Sequence, residues 1–247
     1  MTWIYLSPHF DDVALSCGGW LWQQAQAGEQ VQVWTICAGK MPAPPYSAFA
    51  RSLHERWQTG EAAQAIRREE DLHSCAQMGA AALHFTIPDA IYRTSSAQPG
   101  RHLYDADDTL FGSLHPDEAL LVEQLAGELA QRLPPGARLV CPLALGSHVD
   151  HQLTRRAAER LGVRLWFYAD YPYVLKHAPS LKDLWRQGWR GRSYPVSEAA
   201  LQAWQAAVAA HASQISSFWG SLDEMRTAIR SYSEESGGVR LWFPPRG

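Results

Sequence analysis

Long apolar runs are missing from this chain: no stretch approaches the ~18 consecutive apolar residues that a membrane-spanning helix needs. An excess of basic charge is missing too. Lys and Arg number 22 against 25 Asp and Glu, a formal net charge of −3, which leaves no electrostatic footprint for nucleic acid or for an anionic membrane surface. Cysteine is scarce, and Cys17, Cys37, Cys75 and Cys141 lack the paired spacing of a structural zinc site or the density of a disulfide scaffold. They read as buried free thiols. With no basic segment followed by an apolar one at the N-terminus, a cytoplasmic location is expected.

What is present is concentrated near the start. Trp3-Ile4-Tyr5-Leu6-Ser7 has the length and the β-branched and aromatic content of a buried strand, and Pro8 stops it. His9 and Asp12 leave that strand three residues apart on a tight turn or first helical turn. They project to one side, so an imidazole and a carboxylate can reach the same cation. Asp11, between them, aims elsewhere; a carboxylate beside a metal site that is not needed as a ligand is well placed to deprotonate water. Taken alone, Asp11 and Asp12 read equally well as caps of the following helix.

A catalytic zinc takes three protein ligands and keeps one position open, so a third ligand is expected elsewhere. A second cluster, His148-Val149-Asp150-His151, follows the apolar run over 138–143. His148 and His151 share a face if Val149 opens a helix. One can then ligate while the other faces substrate, and Asp150 can hold an imidazole in one tautomer.

The helical pattern over 14–27, closed by Gly28, sits between the first strand and a second over 31–37. That βαβ unit closes right-handed and implies a parallel sheet covered on both faces, with ligand sites beyond the carboxyl ends of its strands. Further strands are predicted over 82–87, 138–143 and 163–168. Helices are predicted from Gly60 to a cap at Gly79, over 114–133 with Leu120, Leu121, Leu125 and Leu129 on one stripe, and over 152–161. The fold class is α/β, Rossmann-like, with the metal site at the strand ends. Segments 40–58 and 94–112 read as loops and candidate lids. Residues 176–247 form a helical elaboration on a 1–175 core within one domain, helix-like over 198–211 and 222–229 and ending in a strand over 239–243. Its tryptophans read as core.

Pro8-His9-Phe10-Asp11-Asp12 and His148-Val149-Asp150-His151 together resemble the LmbE-like, PIG-L-type family of zinc-dependent N-deacetylases. Arg67-Arg68-Glu69-Glu70-Asp71, Met78-Gly79, Ile87-Pro88-Asp89 and Tyr168-Ala169-Asp170-Tyr171-Pro172 extend the likeness over roughly residues 1–175. The chain departs from the family pattern at Val13, where Glu is usual. The resemblance implies that His9, Asp12 and His151 ligate Zn²⁺, with Fe²⁺ able to replace it, and that Asp11 is the general base. It gives His148 the oxyanion and the departing amine, with Asp150 keeping His148 charged and oriented. It puts Arg67, Asp89 and, more weakly, Arg93 at the substrate, with Asp170 ranked below Asp89. The implied substrate is a small N-acetylglucosamine-type conjugate, and the oligomeric state is open. Two alternatives stay open: a metal-dependent hydrolase of another bond, such as a phosphoester, and a catalytically silent metal-binding module.

Overall fold

The computed structural model describes residues 1–57 and 62–245. In chain order the elements are β1 (Thr2–Ser7), α1 (Asp12–Gln26), β2 (Gln30–Thr35), α2 (Ala48–Trp57), α3 (Ala63–Met78), β3 (Ala81–His84), α4 (Asp107–Leu110), α5 (Ala119–Arg132), β4 (Arg138–Pro142), α6 (Val149–Glu159), β5 (Leu165–Tyr168), α7 (Tyr173–Lys176), α8 (Ala178–Arg186), β6 (Arg190–Tyr194), α9 (Glu198–Ala209), α10 (Ala212–Phe218), α11 (Leu222–Ser236) and β7 (Val239–Phe243).

Among the described residues the sheet has seven strands, ordered β3-β2-β1-β4-β5-β7-β6. The first five run parallel, and β7 and β6 add an antiparallel edge. This is the expected α/β class. From β1 the chain winds outward through β2 and β3, then returns to the other side of β1 to lay down β4 and β5. The winding therefore reverses between β1 and β4, and a crevice opens beyond the carboxyl ends of those two strands. Both His/Asp clusters leave the sheet there, which places two segments distant in sequence side by side.

The core reflects why these residues form these elements. Every residue of β1 after Thr2 is buried, because a central parallel strand is covered on both faces. In α1, Gly18 and Gly19 open a flat face: a Cβ on Gly18 would lie 2.6 Å from Trp204 Cδ1, and one on Gly19 2.9 Å from Trp204 Cε3. Trp204, from α9, fills that face and donates its indole N–H to Ala14 O at 2.7 Å. The expected cap closes α3, with Gly79 in the left-handed region at φ 69°. The Gly60 start expected for that helix lies outside the described residues.

Several expectations are corrected. Segment 40–58 is not loop throughout, since α2 occupies Ala48–Trp57. Segment 94–112 holds a Thr94–His102 bridge and α4. On α5 the buried stripe is Val122, Leu125, Ala126 and Leu129, with Leu120 67% exposed, so the stripe is rotated from the Leu pattern. The C-terminal region contributes two strands rather than one: β6, rich in Arg and Gly, pairs with β7 along its length. Trp204 and Trp242 are core, but Trp185 is 43% exposed.

Candidate active site

The turn after β1 and the start of α6 bring His9, Asp12 and His151 together around one carboxylate. Asp12 Oδ2 lies 3.2 Å from His9 Nδ1, and Asp12 Oδ1 lies 3.4 Å from His151 Nε2. His151 Nε2 is buried and has no hydrogen-bond partner. His9, His148 and His151 also each offer a nitrogen within 4.8 Å of the others.

Behind the two imidazoles that touch Asp12 stand two more buried carboxylates. Asp150 Oδ2 is 2.9 Å from His9 Nε2, and Asp170 Oδ1 is 2.7 Å from His151 Nδ1. Each acid therefore takes the N–H of the far ring nitrogen and aims the near nitrogen at Asp12, as in carboxylate–histidine–metal arrangements. The protons follow. Burial opposes charge on His151, yet Asp12 and Asp170 outweigh it and push the imidazole up to about 9. Burial also opposes charge on His9, which Asp12 and Asp150 raise all the same. Asp12, in spite of its burial, is held well below the usual carboxylate range by His151 and His9. Asp150 is likewise held down against burial, by Arg93 and then His9. An orphaned buried nitrogen, two imidazoles aimed by buried acids and a shared carboxylate suit a divalent cation.

Asp11 is turned away from this cluster, into the cavity wall, with Oδ1 3.5 Å from Arg67 Nη2. It precedes α1 without capping it through its side chain, so the capping alternative does not describe it. Arg67 packs over the rings of Phe10 and Trp57 at 5.7 and 5.2 Å. Asp89 lines the same cavity while accepting Ile91 N–H at 3.2 Å, so its turn-capping and pocket roles coexist. The cavity encloses about 610 Å³, and its walls include Trp57, Phe111, Tyr173, Phe218 and Trp219.

Three expected roles meet a different geometry. Asp150 does not carry His148: its carboxylate meets His9, Arg93 and Ala90 N–H, and only its backbone N–H reaches His148 Nδ1, at 3.2 Å. That hydrogen bond requires a lone pair on Nδ1, so His148 is a neutral imidazole, and burial together with the nearby His9 pushes its pKa down in agreement. Arg93 does not line the cavity, because Asp150 and Glu118, both buried, take up its guanidinium. Asp170 lies behind His151 rather than in the cavity wall. The walls supplied by Gln214 and Phe218 had no role assigned in the sequence, and Trp219, expected as core, lines the cavity instead. They reach the cavity from α10 and the residue after it, and no spacing pattern marks them.

An open α/β sheet with a His/Asp cluster at its winding reversal defines the framework of a ligand-converting enzyme. The model of the PIG-L family, GlcNAc-PI de-N-acetylase, matches residues 4–161, and the chain belongs to that family. It is 32% identical over 219 residues to the 2'-N-acetylparomamine deacetylase of Niallia circulans, across 81% of this chain and 78% of that one. The Streptomyces fradiae deacetylase of the same name is 32% identical over 179 residues, 69% of this chain and 57% of its own. The zinc-inhibited form of the teicoplanin deacetylase Orf2 is 26% identical, with a TM-score of 0.73 over 99% of this chain and 97% of that structure. The family and the relatives it matches are deacetylases, which favours amide cleavage over the phosphoesterase and silent-module alternatives. No helix among the described residues is long and apolar enough to cross a membrane.

Proposed function

We propose that this deacetylase removes the N-acetyl group from an N-acetylglucosamine-type amino-sugar conjugate, with Zn²⁺ held by His9, Asp12 and His151. The observation that carries the reading is the pair of buried acids behind His9 and His151, which His148 lacks. It favours His9 and His151, rather than the trio with His148, as the imidazole ligands. When bound, such an ion polarises the acyl oxygen and lowers the pKa of water to roughly 7.

The remaining work falls to the chain. Asp11, free of the ligand set, takes the proton of the attacking water and afterwards hands it to the departing amine. Arg67, 3.5 Å away, orients that carboxylate. His148, protonated on Nε2, donates a hydrogen bond to the developing oxyanion; being neutral, it is the hydrogen-bonding partner rather than the amine's acid. Asp89 accepts from sugar hydroxyls. The aromatic walls stack on the sugar and its attached group and exclude water, in a cavity whose size falls within the roughly 300–1,000 Å³ typical of small-molecule sites.

The direct test presents N-acetylglucosamine glycosides and a generic phosphoester to the purified, zinc-loaded protein. Acetate and a free amine are expected in equal amounts from the glycosides. Phosphate release without amine would defeat the proposal.

The ligand assignment also predicts a pH dependence. Asp12, Asp150 and Asp170 keep the imidazoles of His9 and His151 protonated below their raised pKa values, about 9 for His151, so the cation must displace those protons. Affinity should therefore fall as pH falls below that range, by up to about tenfold per unit for each proton displaced. Calorimetry at neutral pH in buffers of different ionisation enthalpy should register proton release on zinc binding. Binding that releases none would show that these imidazoles are not the ligands.

A further inference from the structure

Asp150 is completely buried, and all the partners of its carboxylate are donors. Oδ1 accepts from Arg93 Nη1 at 2.5 Å, and Oδ2 accepts from His9 Nε2 at 2.9 Å and from Ala90 N–H at 3.0 Å. Arg93 is fixed in turn. Nη1 also reaches Pro88 O at 3.1 Å, while Nε and Nη2 clasp the two oxygens of Glu118. Glu118 Oε2 accepts the hydroxyl proton of Tyr104, and Tyr104 has only that proton to give, since its oxygen accepts His115 N–H at 2.8 Å. Arg93, Glu118 and Tyr104 are buried and none lines the cavity.

A buried ionic chain of this kind is a poor device for stability alone. Desolvating the charges offsets most of their attraction, and apolar side chains of equal volume would serve as well. What the chain does provide is direction. A carboxylate held by one oxygen cannot swivel about its terminal torsion, so with Oδ1 on Arg93 the other oxygen stays on His9. His9 then donates from Nε2 to Asp150 and presents Nδ1 to Asp12, the nitrogen left for a cation once its proton is displaced.

We infer that Arg93 and Glu118 are positioning residues of the metal centre: from outside the cavity they hold Asp150 in the orientation that makes His9 a ligand through Nδ1. The inference rests on the metal-site reading above. It extends the groups that govern the centre beyond both His/Asp clusters, to a residue in the turn before α5. Partners behind a ligating imidazole typically alter metal affinity about 10–100-fold, and a residue one step further out should act near the lower end of that range.

The test compares Glu118→Gln and His151→Ala with the unaltered protein in two measurements. One is the zinc dissociation constant, from competition with a chromophoric chelator; the other is the thermal midpoint of the metal-free protein. Glu118→Gln keeps the shape and one accepting oxygen, turns the other oxygen into an amide donor, and removes the charge that steers Arg93. The expected result is about tenfold weaker zinc binding by Glu118→Gln in a folded protein, with His151→Ala binding far more weakly still. If Glu118→Gln lowers the thermal midpoint yet binds zinc like the unaltered protein, the chain is a structural tie and the inference is overturned, with the metal site intact. If His151→Ala itself binds like the unaltered protein, the metal-site reading falls first and the inference with it. Should Glu118→Gln not fold, Tyr104→Phe removes the hydroxyl donor to Glu118, along with the acceptor of His115 N–H. It should weaken zinc binding about threefold on the same scale, and unchanged binding there overturns the inference equally.

Discussion

Asp11→Asn should lower kcat by roughly 10²–10⁴-fold while zinc stays bound. The carboxylate is buried in the cavity wall, makes no helix cap and lies outside the contacts joining His9, Asp12 and His151. Asparagine matches its shape and can still accept the Arg67 hydrogen bond, so the fold and the ligand set are left in place and only the proton-accepting capacity is lost. Turnover and metal content measured on the same preparation check this. Loss of zinc would make Asp11 a ligand, and unimpaired turnover would remove it from the proton path.

Trp204→Ala should destabilise the protein by about 3–5 kcal/mol, read as a shift in the urea midpoint. Its indole is fully buried, fits against Gly18 and Gly19, and donates to Ala14 O. Truncation leaves both a cavity and a backbone acceptor without its indole donor. The glycines make the site unforgiving, because they have no side chains that could lean in to fill the space. A loss near 1 kcal/mol would mean that α9 repacks onto α1 and that this contact is looser than its geometry indicates.

The two sides of the centre were legible to different degrees. His9, Asp11, Asp12, His148 and His151 stand out in the sequence because each cluster ends an apolar strand, and strand ends of a parallel sheet converge on one edge. The partners behind them do not stand out. Asp150 adjoins His148 in the chain, so local reasoning pairs those two. Only the crossing of α6 past the β1 turn swings its carboxylate onto His9 and leaves its backbone N–H for His148. Glu118 falls inside the helix predicted over 114–133, and Arg93 reads as a substrate residue, until the fold buries them against each other. Hydrophobic patterning was equally blind to β6: an edge strand of Arg, Gly and Ser carries no apolar alternation, and what defines it is its ladder with β7. The helix α2 escaped notice because the Pro-rich stretch before it sets the character of the whole segment.

The place of β7 bears on how the molecule comes into being. It lies against β5, whose end leads into Asp170, yet it is synthesised after every helix named here. A nascent chain that has already emitted both His/Asp clusters still has one flank of β5 bare, with backbone amides and carbonyls awaiting a neighbour that has not left the ribosome. Non-local pairing of this kind delays folding and leaves an adhesive edge while it lasts. Completion of the sheet beside Asp170 thereby waits on a strand supplied from far along the chain, and until it docks the flank of β5 is open to wrong partners.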